Sequence, residues 1–239
     1  MEKFIKGARQ LGIEFDANQL KQFEVYYQKL IEWNKKVNLT AITDYQEAQV
    51  KHFLDSITVA LALTKEEMNQ ANFNIIDIGT GAGFPGIPLK VLLIKPRLVL
   101  VDSTAKKTAF LRYVTRELKL DNVEIVCGRA EEVAHSPLYR QQFDLVVSRA
   151  VASLAALVEL ALPFCRIGGK FVAQKKGEVE QEIREAGKAI ATLGGKLEQV
   201  KRIELKELSD GRYLVIVDKI DPTPEKYPRR PGIPVRRPI

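Results

Sequence analysis

Cysteine, histidine and tryptophan are scarce in this 239-residue chain, at two, two and one. Two cysteines, Cys127 and Cys165, cannot build a disulfide framework. His52 and His135 stand far apart, and no Cys-x-x-Cys or His-Glu-x-x-His string occurs, so no metal site is expected. The longest apolar stretch is broken by Ser153 and Glu159, which excludes a membrane-spanning helix. The first ten residues carry Glu2, Lys3, Lys6 and Arg9 and no hydrophobic run, so no secretory signal is expected. Together these absences predict cytoplasmic residence and no membrane partner; a monomer is expected. The 46% hydrophobic and 28% charged content is that of a globular protein and excludes disorder or a low-complexity fibre as the main state.

Charge is unevenly distributed. The net charge is +7, and the fourteen residues from Lys226 to Ile239 hold Lys226, Arg229, Arg230, Arg236 and Arg237 with no acid. Only +2 remains for the rest of the chain. Pro228, Pro231, Pro234 and Pro238 interrupt those cations, remove amide donors and fix φ, so the tail is expected to be extended. An arginine-studded extended arm suits the phosphates of a nucleic acid. A solvated tail that only aids solubility is the alternative.

Residues 1 to about 70 read as helical. Asp16 and Gln19 have the spacing of a capping box, and Leu20, Phe23, Tyr27, Leu30 and Ile31 follow at helical spacing. Thr43 or Asp44 opens another helix with Val50, Phe53, Leu54, Ile57 and Leu61 as its buried stripe. Residues 64 to 72 read as a polar linker. From Phe73 strands and helices alternate: strands at 73–78, 98–101, 123–126, 143–147 and 169–173, with helices from about Pro85, at 105–118, at 153–162 and at 179–193. Two last strands, 196–205 and 212–217, join around Ser209-Asp210-Gly211. Alternation means a mostly parallel sheet covered on both faces, and the short final connection makes the last hairpin antiparallel. The expected organisation is a helical N-terminal region (1–72), an α/β unit with the strand count of a class I methyltransferase (73–220) and a basic Pro/Arg-rich tail (221–239).

The segment Asp77-Ile78-Gly79-Thr80-Gly81-Ala82-Gly83-Phe84-Pro85-Gly86 follows the first strand, where open parallel sheets bind ligands. A phosphate loop fails, because no Gly-Lys pair precedes Ser or Thr. A dinucleotide fingerprint matches literally from Gly81 through Gly83 to Gly86. The third reading is Asp-x-Gly-x-Gly-x-Gly, formed by Asp77, Gly79, Gly81 and Gly83, as in proteins that bind S-adenosylmethionine. A carboxylate before the glycines would repel a pyrophosphate and suits a ligand with an ammonium and a sulfonium. Asp102, ending the second strand, can accept from both ribose hydroxyls, with Ser103 as a further hydroxyl. The third strand leads to Arg129-Ala130-Glu131, at the place expected for the adenine edge. Helix capping by Ser103 and a surface ion pair for Glu131 are the plainer alternatives.

Further strings extend this picture: Trp33-Asn34-Lys35-Lys36-Val37-Asn38-Leu39-Thr40, His52-Phe53-Leu54-Asp55-Ser56, Asp102-Ser103-Thr104-Ala105-Lys106-Lys107, Ser148-Arg149-Ala150, and Tyr227-Pro228-Arg229-Arg230-Pro231-Gly232-Ile233-Pro234. With Asp77 to Pro88, and in this order, they resemble the glucose-inhibited division protein B family, the bacterial 16S ribosomal RNA guanine-N7 methyltransferases. The tail departs slightly, ending Arg236-Arg237-Pro238-Ile239. The resemblance implies methyl transfer from S-adenosylmethionine to guanine N7 in the 530 loop of small-subunit rRNA. It also implies cofactor contacts at Gly79, Phe84, Ala130, Glu131 and Arg149. RNA contacts are expected at Arg229, Arg230, Arg236 and Arg237 and at Lys35 and Lys36.

The residues agree with that chemistry. Exocyclic amine methylation usually shows Asn/Asp-Pro-Pro-aromatic after the fourth strand, where this chain has Ser148-Arg149-Ala150. Carbon-5 methylation needs a cysteine nucleophile; Cys165, after Pro163-Phe164, reads instead as a small core residue. Guanine N7 has an exposed lone pair and loses no proton, so positioning suffices and no catalytic base is expected. His52 is read as a core histidine satisfied by Asp55, and Trp33, Asn34 and Asn38 as fixing a helix end. A methyltransferase-fold module that only binds RNA, or one acting on another base, is the alternative; intact strand-end acids favour the enzyme.

Overall fold

The computed structural model describes residues 1–70, 72–149, 152–208 and 211–239. Two helices open the chain, α1 (Glu2–Gln10) and α2 (Ala17–Asn34). The Asp16/Gln19 capping box is formed, with reciprocal bonds of 2.8 and 3.0 Å. Asp44 caps the next helical run by accepting the Glu47 amide at 2.8 Å. That run changes pitch three times: α3 (Tyr45–Ala48), a π-helical turn (Gln49–Leu54), α4 (Asp55–Ile57) and a 3₁₀ segment (Thr58–Ala62). The stretch expected as a linker holds a short helix, α5 (Lys65–Asn69), because Thr64 and Glu67 form a second capping box.

The α/β part runs β1 (Asn74–Ile78), α6 (Gly86–Leu93), β2 (Arg97–Asp102), α7 (Ala105–Glu117), β3 (Val123–Cys127), α8 (Ala130–Val133), β4 (Phe143–Arg149), α9 (Leu154–Ala161), β5 (Cys165–Lys176), α10 (Glu180–Thr192), β6 (Gly195–Ile203) and β7 (Arg212–Lys219). The seven-stranded sheet has the order β3-β2-β1-β4-β5-β7-β6. β7 is antiparallel to both neighbours, and the remaining pairs are parallel. The expected seven strands with a closing antiparallel hairpin are therefore present; Ser209 and Asp210 of its turn lie outside the described residues. β5 is longer than expected because Gln174, Lys175 and Lys176 continue pairing with Leu214, Tyr213 and Arg212.

Alternate strand residues face opposite layers. Ile75, Leu100 and Leu145 pack with Phe4, Phe23, Tyr26 and Phe53 of the N-terminal helices, so those helices share one core with the sheet. Ile76, Val146 and Phe171 face Leu157 of α9 and Ile190 of α10. Trp33 lies 5.6 Å from the Phe110 ring and is stacked at 5.3 Å on Tyr113, both on α7. Asn34 accepts the Leu39 and Thr40 amides at 2.7 and 2.9 Å. These residues fix the end of α2, as their sequence reading held.

The tail departs from the extended arm predicted for it. Arg229 donates to both carboxylate oxygens of Glu159, with contacts from 2.5 to 3.2 Å, and Glu159 is fully buried on α9. The Pro228 carbonyl meets His135 Nε2 at 2.9 Å, and Arg140 donates to the Tyr227 and Thr223 carbonyls. Tyr227 and Ile239 pack on the core, and a turn of helix, α11 (Ile233–Arg236), follows Gly232. A buried carboxylate demands a counter-charge, and Arg229 supplies it; this guanidinium is thus not free for RNA. Arg229→Ala strands Glu159 without its partner. Urea titration should show a loss of about 2–4 kcal/mol, less than a fully buried pair because Arg229 is partly exposed; an unchanged midpoint would refute the tail as a structural element.

Candidate active site

β1 ends at the glycine turn, and Asp77 sits directly beneath it. Its Oδ2 accepts from the Thr80 hydroxyl at 2.6 Å and from the Gly86 amide at 2.8 Å. Gly79, Gly81 and Gly83 all adopt positive φ, at 67°, 63° and 103°. At Gly86 the limit is space: an added Cβ would lie 2.6 Å from Leu100 and 2.9 Å from Asp77 Oδ2. Asp77 is fully buried and does not line the adjoining cavity. Its first task is therefore to build the turn, and direct attraction of a cationic ligand is not what the geometry assigns it. Burial pushes its carboxyl up to about 7, opposed by the Thr80 and Gly86 hydrogen bonds and by Arg149. Asp77 Oδ1 has no hydrogen-bond partner among the described residues.

Above the turn lies a cavity of about 480 Å³, the size of a nucleoside site. Gly79, Asp102, Ser103, Ala130, Glu131 and Arg149 line it. Asp102 Oδ2 accepts the Gly81 amide at 3.0 Å, and Oδ1 accepts the Thr104 amide at 2.8 Å. A carboxylate has about four acceptor positions, so two remain for ligand hydroxyls. Glu131 Oε1 accepts the Gly232 amide at 2.9 Å. Ile78, Val101, Leu157, Leu160 and Val235 supply apolar walls, and Thr104, Lys107, Arg129 and Ser148 complete a mixed lining, with Lys107 Nζ 3.8 Å from Asp102 Oδ2. Carboxylate acceptors beside apolar walls suit the hydroxyls and the flat base of a nucleoside. Gly81, Gly83 and Phe84, expected at the cofactor, stay outside this lining.

Phe84 belongs to the core and backs Arg149. Its ring is stacked on His52 at 4.4 Å and on Tyr26 at 5.2 Å, and the Arg149 guanidinium lies 4.8 Å from its centroid. Arg149 donates to the Lys51 carbonyl at 3.0 Å, to Asp55 Oδ2 at 3.4 Å and to His52 Nδ1 at 3.4 Å. A guanidinium only donates, so His52 Nδ1 accepts and its Nε2 proton goes to Thr40 Oγ1 at 2.8 Å. His52 is thus satisfied within the fold, as expected, but by Thr40 and Arg149. Asp55 instead bridges Arg149 and Arg212, whose Nε lies 3.4 Å from Oδ1.

Arg149 also borders a second cavity, of about 730 Å³. Lys51, Lys175, Lys176 and Arg212 line it, against Asp55 and Glu182. Sequence reading missed Asp55 as an arginine partner and missed Gln174, Lys176 and Arg212 altogether. Three distant segments bring them together, so no spacing announces them. Of the residues expected to meet RNA, Lys35, Lys36, Arg230, Arg236 and Arg237 are exposed. Cys165 lies in the core with its thiol pushed up to about 12 by burial, so it is no nucleophile. Ala150 lies outside the described residues.

Burial, reinforced by Arg149, depresses His52 to about 3. Between that value and its unfolded value of 6.5, only the unfolded chain carries the proton, so this group's contribution is lost as pH falls. Asp77, raised to about 7, acts oppositely: its contribution is present at low pH and lost as pH rises through 7. The two nearly cancel between about pH 4 and 6.5. His52→Gln removes one arm. The stability of the unaltered chain minus that of the variant should therefore grow with pH across this window by roughly 1.4 kcal/mol per pH unit. Urea titrations at three pH values measure it; a gap independent of pH would mean His52 is not held neutral.

The family model described as rRNA small subunit methyltransferase G matches residues 19–209. A ribosomal RNA small subunit methyltransferase G of Dehalococcoides mccartyi is 48% identical over 239 residues, covering 100% of both chains. One from Roseiflexus castenholzii is 44% identical, also over 100% of both. Among solved structures, a SAM-dependent methyltransferase from Aquifex aeolicus aligns with TM-score 0.53 at 16% identity, over 72% of this chain and 93% of that one. A geranyl diphosphate methyltransferase in complex with SAM gives TM-score 0.53 at 15% identity, over 76% and 94%. The structural likenesses carry the class I methyltransferase fold, and the full-length likenesses carry the family: the chain belongs to the rRNA small subunit methyltransferase G family.

Proposed function

We propose that this chain transfers a methyl group from S-adenosylmethionine to N7 of a guanine in the 530 loop of 16S rRNA, working in the cytoplasm. One observation carries the reading: a nucleoside-sized cavity holding the acceptors Asp102 and Glu131 and a second cavity lined by Lys51, Lys175, Lys176 and Arg212 share Arg149 in their walls. In the first, the Gly79 backbone closes on the ligand, Asp102 takes the ribose hydroxyls with Ser103 beside it, and Ala130 and Glu131 face the adenine edge. Gly81 and Gly83 shape the turn, and Asp77 holds it. Bound adenosylmethionine supplies a sulfonium-activated methyl group, which passes to a ring nitrogen as the carbon–sulfur bond breaks.

In the second cavity Lys51, Lys176 and Arg212 face the phosphates of the acceptor nucleotide. Outside it, the exposed Lys35, Lys36, Arg230, Arg236 and Arg237 meet the RNA backbone. Arg149 is a positioning residue: stacked on Phe84 and held by Asp55, it sets the wall between donor and acceptor. Its own donors suit guanine O6, and a bidentate grip on O6 and N7 would block the reacting lone pair. No proton leaves N7, and the titratable groups nearest the junction are committed: His52 is neutral with both nitrogens engaged. Catalysis then rests on proximity and orientation.

Incubation with labelled methyl donor and 16S rRNA or small subunits, followed by mapping of the modified base, tests the proposal. The expected product is a single N7-methylguanine, with single-turnover rates nearly flat from about pH 6 to 8. Methylation of an exocyclic amine or a pyrimidine carbon overturns the base assignment. RNA binding without turnover would make the chain a binding module.

A further inference from the structure

The C-terminal segment does more than cover the domain: we propose that it is a wall of the methyl-donor cavity, with Gly232 holding Glu131 in place and Val235 covering the adenine face. This rests on the adenosylmethionine reading above.

The segment is fastened at two points. Arg229 grips Glu159 on α9, the helix whose Leu157 and Leu160 line the cavity. Gly232, at φ 82°, turns its amide onto Glu131 Oε1 at 2.9 Å. Glu131 is 6% exposed, and that amide is the partner that orients its carboxylate. Between and beyond these anchors Pro234 is buried, while Val235 remains 54% exposed and borders the cavity. An apolar side chain left half open at a ligand cavity has surface to lose when a flat heterocycle arrives. Gly232 is bonded to Glu131, in the short helix α8 after β3, so the tail covers the end of the cavity assigned to the adenine. Asp102 marks the ribose and Gly79 the opposite end. The ligand class recognised by this wall is therefore an adenine nucleoside, whatever its 5′ substituent.

Calorimetry with adenosylmethionine and with 5′-methylthioadenosine, which shares the adenosyl group and lacks the amino-acid chain, reads the contact. Val235→Asp should raise Kd for both, about tenfold for the uncharged methylthioadenosine, through lost apolar contact and desolvation of the new carboxylate when the heterocycle binds. Val235→Ile should restore tight binding. The ligand-free melting temperature of Val235→Asp should stay within about 2 °C of the unaltered chain, since the side chain is half exposed. Deletion of residues 232–239 should weaken both ligands at least as much, and near-ultraviolet circular dichroism checks its fold; if it unfolds, the point variants decide. Equal affinity of Val235→Asp and the unaltered chain overturns the wall and leaves the cofactor reading standing. A loss confined to adenosylmethionine also overturns it, because the contact would then not be with adenine. If the unaltered chain binds neither ligand, the cofactor reading falls and the wall with it.

Discussion

Arg149 puts a guanidinium at the end of β4 where little water reaches it, and much of the surrounding structure exists to make that tolerable. An isolated buried charge costs several kcal/mol, so acceptors must be brought to it. They come from the N-terminal helical run: the Lys51 carbonyl, the Asp55 carboxylate and His52 Nδ1. Each carries a further requirement. His52 can accept only if neutral with its proton on Nε2, so Thr40 must receive that proton. Thr40 must be held, and Asn34 holds it by accepting its amide and donating to its carbonyl. The string from Trp33 to Thr40, far from the glycine turn in sequence, thus serves one arginine at the edge of both cavities. The shared aromatic core of Phe4, Phe23, Tyr26 and Phe53 is what lets those helices carry the burden.

The three strand-end acids divide a common task. Each accepts a backbone amide: Asp77 from Gly86, Asp102 from Gly81 and Thr104, Glu131 from Gly232. The loops at this edge of the sheet leave amides without strand partners, and buried amides need acceptors. The carboxylates therefore shape the loops first. Asp77 has no access to the cavity and does only this; Asp102 and Glu131 also line the cavity.

How far the sequence could be read follows from where each signal lies. β1, β2 and β4, buried on both faces, read as apolar runs, so the sheet was legible; β6 is largely exposed, and the closing hairpin was legible from its short connection. Topology then located Gly79, Asp102 and Glu131, because strand ends are where such sheets bind ligands. The π-helical turn carrying His52 was not legible, since the stripe of Val50, Phe53, Leu54 and Ile57 fits an α-helix equally well. Helix α5 was missed although Thr64 and Glu67 carry a capping signature, because its polar composition masked it. Asp55, Gln174 and Arg212 converge from α4, β5 and β7, and no local pattern encodes a meeting of three segments.

The tail is the instructive case. Five cations among prolines read as an arm for phosphates, yet the decisive residue was elsewhere. Glu159 stands within the apolar run from Leu154 to Phe164, where a carboxylate is almost never buried without a partner. Asking which cation could reach it would have pointed away from a free tail. Once Arg229 is committed there and Gly232 to Glu131, the segment cannot swing out without stranding a buried carboxylate. Any contact that Arg230, Arg236 and Arg237 make with RNA must therefore be made in place, beside the cavity that Val235 lines. That geometry sets the exposed Arg230, Arg236 and Arg237 and the cavity-lining Val235 on one short, doubly anchored segment.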